Sequence, residues 1–255
     1  MIIKNEIYRA YDAINASLLK GVLSHSYHKA IIPFNATPAM QLGTHIHCAV
    51  LEPQKWAADY HRLSDGIDLR TKAGKAEKED AELSGQICLK PDEYDMIERV
   101  AVQSMTYPQI AEYFHPETIT EMSLTFELPQ YPGHEMKAQI DLYDPKSKTL
   151  LDLKTTADIM RAERQFMDLH YGLQLRFYQH ALEANGFEVN HVSVLFIEAN
   201  PPHTPALFHL TDGMLDIGES QIHRALDRYF EEKDLDKPKL IERTLDAPSW
   251  FKEQK

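Results

Sequence analysis

The spacing of apolar residues divides the chain into a helical first part and a mixed second part. Apolar positions about 3.6 residues apart predict helices over residues 6–24, 39–51 and 91–105, and prolines break the stretch 25–38 into a loop. The segment 62–90 is strongly charged, and we expect it to be partly mobile.

From Thr118 the pattern changes to the period of two that is typical of strands. It predicts a three-strand meander at 120–128, 135–143 and 149–154, an apolar strand at 191–199 that is buried on both faces, and an edge strand at 206–210. Helices are predicted at 158–168, 172–185 and 212–233. Together these elements predict an α/β fold with a central mixed β-sheet flanked by helices. We expect one domain over 1–255, with a helical part at about 1–117, a sheet-containing core at about 118–233 and a tail at 234–255.

Composition limits the class of protein. The 255 residues are 43% hydrophobic and 26% charged, a globular mixture, and the 27 basic against 39 acidic residues give a net charge of −12. This charge argues against a nonspecific coat for nucleic acid, although it leaves room for a local basic groove. Two cysteines, no signal-peptide pattern and no long apolar run predict a reduced, cytoplasmic protein without a membrane span.

Two strands of the meander carry a pair of aspartates. Alternation along 135–143 assigns one face to four apolar residues, Met136, Ala138, Ile140 and Leu142, and the other face to Asp141. If the turn is centred between Lys146 and Ser147, Asp141 directly faces Asp152, with Cβ atoms about 5 Å apart. Two carboxylates this close need a proton or a cation between them, and Mg²⁺ is a natural choice. A bulge would move this register by one residue.

Lys154 lies two residues beyond Asp152 and shares its face. A lysine beside a metal-bound water can orient that water or stabilise charge that develops on a phosphate. The pattern therefore suits metal-assisted hydrolysis of a phosphodiester. The alternative is a solvated hairpin face with an ordinary ion pair.

The helix at 39–51 places Gly43 and His47 on one face, four residues apart, whereas His45 points elsewhere. The small Gly43 would let the helix approach a neighbour, so that His47 could reach a metal ion. The alternatives are a core histidine, or a metallohydrolase built on His45 and His47, which would need a strand here.

Two further segments add polar side chains. Gln174 and Tyr178 are four residues apart on a predicted helix, where an ordinary amphipathic helix is the alternative. Glu121 lies on the first strand of the meander, where its carboxylate either lies near the metal ion or faces solvent.

In this order the motifs Gly-x-x-x-His, Glu, Ile-Asp, Asp-x-Lys-Thr-Thr and Gln-x-x-x-Tyr resemble the PD-(D/E)xK nuclease superfamily in its RecB-like branch. The match is closer still to the nuclease domain of exodeoxyribonuclease VIII, the RecE type, and its phage relatives. The phrases LGTHIHCAVLEP, RTKAGKAE, DLKTTAD and QLRFYQHAL look like that family, and the resemblance runs from about Leu42 to Phe251. The chain lacks a Pro before Ile140-Asp141, which is usual in the RecB branch.

The resemblance implies a role for each matching residue. It implies four metal ligands: His47, Asp141, Asp152 and the backbone carbonyl of Leu153. It makes Lys154 the catalytic lysine and Glu121 an accessory acid near the metal ions. It implies that Gln174 and Tyr178 contact DNA or support the site.

Basic residues outside these motifs are candidates for DNA contact. Arg70, Lys72, Lys75 and Lys78 surround Gly74, where a loop could hold a phosphate or guide the strand. A solvated charged loop is the alternative. Arg161, Arg164 and Arg176 are further candidates for a groove beside the active face.

The resemblance also implies an activity. It predicts a Mg²⁺-dependent exodeoxyribonuclease, with Mn²⁺ as a substitute, that degrades linear double-stranded DNA from 5′ to 3′ and leaves 3′ single strands for recombination by strand annealing. The implied partners are DNA ends, a RecT-type annealing protein and further copies of the chain in a ring, with a tetramer favoured. The expected setting is the bacterial cytoplasm, with a phage or prophage origin. The alternatives are an endonuclease or structure-specific nuclease on the same core, and a DNA-binding module with a decayed site.

Overall fold

A computed structural model of the chain describes residues 1–240 and 242. Within them the helices are α1 (Asn5–Ala10), α2 (Ala16–Ser24), α3 (Tyr27–Ala30), α4 (Pro38–Leu51), α5 (Pro53–Asp59), α6 (Lys72–Leu83), α7 (Pro91–Ser104), α8 (Pro108–Ala111), α9 (Ala162–Asp168), α10 (Tyr171–Ala184) and α11 (Asp212–Glu232), with a 3₁₀ turn at Ile159–Arg161. The strands are β1 (Ile2–Ile3), β2 (Ile14–Asn15), β3 (Tyr60–Arg62), β4 (Ile87–Leu89), β5 (Ile119–Phe126), β6 (Met136–Asp144), β7 (Thr149–Thr156), β8 (His191–Glu198) and β9 (Pro205–His209). Across the described residues we find no helix with the length and apolar character needed to cross a membrane. Most of the predicted tail, with Trp250 and Phe251, lies outside the described residues.

Seven strands form the main sheet in the order β1-β5-β6-β7-β8-β9, and β2 pairs with β6 beside this path. The meander β5-β6-β7 is antiparallel, whereas β7 and β8 are parallel over their whole length. The chain between β7 and β8 contains α9 and α10, the helical crossover that parallel neighbours require. The predicted mixed sheet is therefore confirmed.

Helices bury both faces of this sheet. One core lies between the sheet and α2, α10 and α11, and a second core lies between the sheet and α4, α5 and α7. Met136, Ala138 and Ile140 enter the first core, but Leu142 enters the second. The prediction that Leu142 shares their face is wrong, because the strand switches faces at Asp141.

The switch coincides with a break in the pairing of β5 and β6. Residues on either side are in register, with Thr120 opposite Leu142 and Met122 opposite Ile140, but Glu121 and Asp141 between them are not paired. Glu121 has a φ of 51°, a left-handed conformation that costs a residue with a Cβ on the order of 1–2 kcal/mol. The ladder is therefore distorted at its two acidic residues.

The other edge of β6 is open at the same level. Strand β2 pairs with Met136 and Lys137, strand β7 pairs with 142–144, and within the described residues no strand pairs with 138–141 on this edge. The predicted register is correct for Leu142 opposite Leu151, but the pairing ends there, one residue before the two aspartates. Instead of facing Asp152 across a regular ladder, Asp141 accepts a hydrogen bond from the Leu153 amide through Oδ2, at 2.8 Å.

The helices in the first part of the chain are shorter and more interrupted than the apolar spacing predicts. The predicted helix at 6–24 is wrong in its middle, because the chain leaves α1 at Tyr11 and forms β2 before α2 begins. Asn15 explains the new start, since its side chain accepts a hydrogen bond from Leu18 N as an N-cap. The predicted loop at 25–38 also contains the short helix α3, which Ser26 caps.

The charged segment at 62–90 contains a helix and a strand that the apolar pattern did not predict. Thr71 caps α6, and β4 pairs with β3 in a separate two-stranded parallel sheet. Gly74 permits this packing, because a Cβ at that position would lie 2.3 Å from the Asp68 carbonyl oxygen. The sequence interpretation also missed α5 and β3.

Gly218 is expected to be essential for the packing of α11 on α10. A Cβ at Gly218 would lie 2.4 Å from the backbone oxygen of Gly172, a rigid neighbour. Gly218→Ala should therefore lower the free energy of unfolding by about 1–3 kcal/mol in urea titrations. Gly213→Ala on the same helix is the matched control, because its Cβ would meet its nearest atom at 3.9 Å and alanine favours the helix. Equal stability of the two variants would contradict this account of the helix contact.

Candidate metal centre and active site

Three ligand-bearing side chains converge around Asp141 of β6. His47 on α4, Glu121 on β5 and Asp141 on β6 each offer a ligand atom, and these atoms lie within 4.8 Å of one another. Nδ1 of His47 is 3.7 Å from Oδ2 of Asp141. One imidazole and two carboxylates form a donor set that suits a small divalent cation such as Mg²⁺ or Mn²⁺. The residues therefore fit the metal ion that the resemblance implies.

The position of His47 depends on the close packing of α4 on the sheet. Thr37 caps the helix, Pro38 occupies its first turn, and Gly43 lies one turn before His47. A Cβ at Gly43 would lie 3.0 Å from Oγ1 of Thr155 on β7, so the absence of a side chain allows the approach that the sequence predicted.

The two histidines of α4 have different environments. Burial and the charge of Lys154 lower the pKa of His47 to about 4, so its imidazole is neutral at neutral pH and can bind a metal ion. His45 points away and hydrogen-bonds the Tyr60 hydroxyl through Nδ1 at 3.1 Å. A metallohydrolase site that uses both histidines is inconsistent with this helix.

Asp152 and Lys154 share a face of β7, as predicted. Nζ of Lys154 is 2.5 Å from Oδ2 of Asp152, whose side chain is fully buried. Burial acts to lower the pKa of Lys154, but the carboxylates of Asp152 and Asp141 outweigh it and raise the pKa above its ordinary value. Burial raises the pKa of both aspartates, and Lys154 opposes that rise. The lysine is therefore a permanent cation in the site.

Both backbone polar groups of Leu153 form hydrogen bonds with side chains of the site. Its amide donates to Asp141, and its carbonyl oxygen accepts a hydrogen bond from Nζ of Lys154 at 3.3 Å. The Leu153 backbone also opposes the fall in the pKa of His47. The resemblance names the carbonyl oxygen of this residue as a ligand.

Glu121 belongs to the candidate metal-binding group and is partly buried in the groove. Burial, together with the neighbouring charges of Asp141 and Glu52, raises the pKa of its carboxyl to about 8. The strained backbone at this residue is a further sign of a functional position. The sequence left two environments open for Glu121, and in the structure its carboxylate lies beside His47 and Asp141.

Gln174 and Tyr178 share one face of α10, as predicted, and this face covers Asp152. Nε2 of Gln174 donates to Oδ1 of Asp152 at 3.0 Å and lies 3.2 Å from the Tyr178 hydroxyl. Burial, reinforced by the charges of Asp152 and Asp141, raises the pKa of Tyr178 well above its ordinary value. Tyr178 therefore remains a neutral phenol beside the aspartates.

The site opens into a groove of about 1010 Å³. Its floor includes His47, Glu121, Asp141 and Lys154, and its walls come from α1, α4 and the α5–β3 junction. Five acidic residues line it, Glu6, Glu52, Asp59, Glu121 and Asp141, against three basic residues, Arg9, Lys55 and Lys154. Glu121 keeps its proton at neutral pH, so the other four carboxyl groups face three cations and leave a small negative excess unless metal ions occupy the groove.

The basic residues proposed for DNA contact lie outside this groove. Arg161 and Arg164 line a second cavity of about 530 Å³ that begins at Thr156, next to Thr155 of the first groove. Arg176 is held between α10 and α11 by Glu219, with Nε 2.7 Å from the carboxylate. The structure does not bring Arg176 to the active face.

The other basic cluster is on and before α6. Arg70 is exposed and pairs with Asp68, and Lys72 and Lys75 are exposed in the first turns of the helix. None of these three residues lines the groove.

One residue near the site was missed by the sequence interpretation. Lys20 on α2 reaches across to α10, where Nζ lies 2.5 Å from Oε1 of Gln174. The available signal was a lysine on the apolar face of an amphipathic helix, four residues after Ala16 and beside Leu19.

The raised pKa of Glu121 predicts a pH-dependent stability of the metal-free protein. The folded carboxyl holds its proton up to a pKa of about 8, whereas the unfolded group releases it near 4.5, so the folded state binds more protons between these values. Stability must then fall as pH rises through this window. His47, with its lowered pKa, acts in the opposite direction only below about 6.5. Between pH 6.5 and 8 we expect a loss on the order of 1 kcal/mol in urea titrations with EDTA.

The Glu121→Gln variant provides the control for this pH effect. It keeps the shape of the side chain but cannot titrate, so its stability should change much less between pH 6.5 and 8. An identical slope in both proteins would show that Glu121 is not the responsible group.

A profile of the family described as "PDDEXK-like domain of unknown function (DUF3799)" matches residues 19–241. A solved structure described as "Putative exonuclease" from Eubacterium rectale aligns with 100% of this chain and 98% of its own, with a TM-score of 0.64 and 16% identity. A phage related exonuclease from Haemophilus somnus covers 88% of this chain and 97% of its own, with a TM-score of 0.36 and 13% identity. No curated protein matches the chain. The profile and the first structure agree with the α/β fold inferred from the sequence.

Proposed function

The chain belongs to the family of PDDEXK-like domains, and from this premise we propose that it is a divalent-metal-dependent exodeoxyribonuclease that acts on the ends of linear duplex DNA. One observation carries the proposal. The His47-Glu121-Asp141 group and Lys154, whose ammonium pairs with the buried Asp152, meet at the floor of one groove, where a phosphodiester could contact a metal ion and the lysine together.

The residues of the site have different roles in hydrolysis. His47, Glu121 and Asp141, with Asp152 and the Leu153 carbonyl beside them, would hold the metal ion. When bound, such an ion polarises the phosphate and lowers the pKa of a water molecule. The ammonium of Lys154 donates hydrogen bonds to the attacking water or to a phosphate oxygen, where negative charge accumulates in the transition state.

The second cavity supports a path for the DNA strand. The DNA strand would run from the first groove, lined by Lys154 and Thr155, around the end of β7 to the cavity lined by Arg161 and Arg164. Their guanidinium groups would contact backbone phosphates without reading sequence. The exposed basic residues Arg70, Lys72 and Lys75 would guide duplex DNA outside the groove.

Removal of metal is expected to weaken DNA binding as well as to abolish cleavage. The groove carries an excess of carboxylates, and the whole chain has a net charge of −12, so the phosphate backbone is repelled until cations occupy the site. We expect affinity for an end-containing duplex to fall at least about tenfold in EDTA relative to Ca²⁺. Fluorescence anisotropy would measure it. Equally tight binding in EDTA to linear and closed circular DNA would contradict the proposed site.

The finer assignments rest on the resemblance of the sequence to the RecE type. We propose digestion from 5′ to 3′ with Mg²⁺, or with Mn²⁺ in its place, and release of 3′ single strands for an annealing protein of the RecT type. A homo-oligomeric ring, with four copies favoured, would keep the enzyme on its substrate, in a bacterial cytoplasm and with a phage or prophage origin.

Digestion of end-labelled linear duplex with Mg²⁺ tests the proposal. Early release of a 5′ label as a small product, with the 3′ label retained on long single strands, is the expected result. Covalently closed circular DNA should stay intact, and its cleavage would favour a structure-specific or endonucleolytic enzyme instead. The Asp152→Asn variant provides the inactive control. Metal-dependent DNA binding without any cleavage by the wild-type protein would favour a decayed binding module.

A further inference from the structure

We propose that Lys20 is a positioning residue of the hydrolytic site, which holds the side-chain amide of Gln174 in the one orientation that lets it donate to Asp152. This inference rests on the proposed nuclease function. It concerns a residue on α2, outside the motifs by which the sequence resembles a nuclease.

Lys20 belongs to a continuous polar chain behind the floor of the groove. Its ammonium donates to Oε1 of Gln174 at 2.5 Å, and Nε2 of Gln174 donates to Oδ1 of Asp152 at 3.0 Å. Oδ2 of Asp152 is in turn 2.5 Å from Nζ of Lys154. The catalytic lysine is thus linked to Lys20 through two intervening side chains.

The chemistry of these groups permits only one arrangement of the amide. An ammonium can only donate, and an ionised carboxylate can only accept, so Oε1 must face Lys20 and Nε2 must face Asp152. If the amide of Gln174 rotated by half a turn, donor would meet donor at Lys20 and acceptor would meet acceptor at Asp152. Without Lys20, Oε1 would lose this partner and the preference for one orientation would weaken.

Lys20 acts from behind the site and not on the substrate. It does not line the groove, whereas Lys154 and Tyr171 do. The two ammonium groups share the ring of Tyr171, at 5.0 Å and 5.1 Å from its centroid. Burial and the charge of Lys154 lower the pKa of Lys20 to about 8, so it is still mainly protonated at neutral pH and donates as required.

The consequence is a specific kinetic effect. Loss of Lys20 should leave Asp152 without a fixed hydrogen bond at Oδ1, and the Asp152-Lys154 pair would then spend less time in its reactive geometry. We expect the Lys20→Met variant to lose about 10–100-fold in kcat with little change in KM for DNA, because no substrate contact is removed. Lys20→Arg keeps a cationic donor and should recover part of the rate.

A double-mutant cycle separates positioning from a merely structural contribution. Single-turnover cleavage of linear duplex is measured at pH 7 for the wild type, Lys20→Met, Gln174→Ala and the double variant. Because Lys20 acts through Gln174, we expect Lys20→Met to have no further effect once Gln174 is alanine. Lys29→Met, an exposed lysine on α3, is the matched control and should cleave at the wild-type rate.

A second measurement does not depend on activity. In the folded metal-free protein, the side-chain amide signal of Gln174, identified by its loss in Gln174→Ala, should show slow hydrogen exchange by NMR. In Lys20→Met we expect that exchange to be at least about tenfold faster, since the amide is no longer held.

The outcomes distinguish this inference from the proposed function. Additive losses in the double variant, or unchanged exchange of the Gln174 amide in Lys20→Met, would overturn the positioning role. A wild-type protein that cleaves no DNA would overturn the proposed function instead, and the exchange measurement would still report whether Lys20 holds Gln174.

Discussion

The Lys154→Met variant is expected to lose about a thousandfold or more in the rate of DNA cleavage. Lys154 is the cation that lies 2.5 Å from Asp152 and also lines the groove, so it can reach both this aspartate and a phosphate in the groove. Methionine has a similar length but supplies neither charge nor hydrogen-bond donors. The loss should appear in kcat, because the interaction is strongest with the charge that develops in the transition state.

Single-turnover cleavage of linear duplex with Mg²⁺ would measure this effect. Lys146→Met is the matched control, since Lys146 lies on the exposed turn between β6 and β7 and its ammonium pairs with Glu117, at 3.7 Å. Circular dichroism should show that both variants fold. Cleavage by Lys154→Met within tenfold of the wild type would rule out Lys154 as the catalytic lysine.

Two substitutions at Asp141 are expected to separate its structural and chemical roles. Oδ2 of Asp141 accepts from the Leu153 amide at 2.8 Å, and the same carboxylate belongs to the candidate metal-binding group. Asp141→Asn retains an oxygen acceptor for the amide but not the negative charge, so it should fold and yet lose about a hundredfold or more of the cleavage rate. Asp141→Ala removes both functions and should also lower the free energy of unfolding by about 1–3 kcal/mol, because the buried amide loses its partner.

Urea titration with EDTA and single-turnover cleavage would be run on both variants. Isothermal titration with Mn²⁺ should show weakened binding in both, which ties the kinetic loss to the metal site. If Asp141→Ala were as stable as the wild type, the hydrogen bond from the Leu153 amide to the Asp141 carboxylate would not contribute to the stability of the fold. Retention of normal Mn²⁺ affinity by Asp141→Asn would remove Asp141 from the ligand set.

The predictions for Lys154 and Asp141 both concern residues beside the opening between β6 and β7. Where β6 and β7 separate, the backbone groups of both strands are released from regular pairing, and one of them, the Leu153 amide, is satisfied by a side chain. The distortion at Glu121 lies directly across β6 from this opening. In a regular sheet, backbone pairing would fix the distance between the carboxylates of Glu121 and Asp141. The break in pairing at these two residues lets their carboxylates approach each other.

Several parts of the site were accessible from sequence because they depend on local periodicity. Gly43 and His47 on one helix, Gln174 and Tyr178 on another, and the alternation of Asp152 with Lys154 follow from the geometry of a single element. The order of these motifs also led to the correct superfamily, which the family profile supports over residues 19–241.

Other parts failed where a distant contact outweighed the local pattern. The helix predicted at 6–24 is interrupted because Ile14 and Asn15 pair with β6, far away in sequence. The alternation of β6 breaks at Asp141, so Leu142 packs against the helices of the other face. Arg176 looked like a candidate for DNA contact, but Glu219 from α11 binds its guanidinium.

The sequence by itself determined the fold class, the superfamily and the types of side chain available for metal-assisted hydrolysis, since these depend on composition, periodicity and motif order. Only the tertiary structure decided that Glu121 lies with His47 and Asp141, that the sheet opens beside them, and that Lys20 stands behind Gln174. The physical reason is that each of these arrangements joins residues from elements that are distant along the chain. Packing and hydrogen bonding between elements determine the distances between these side chains, and the local sequence pattern does not predict them.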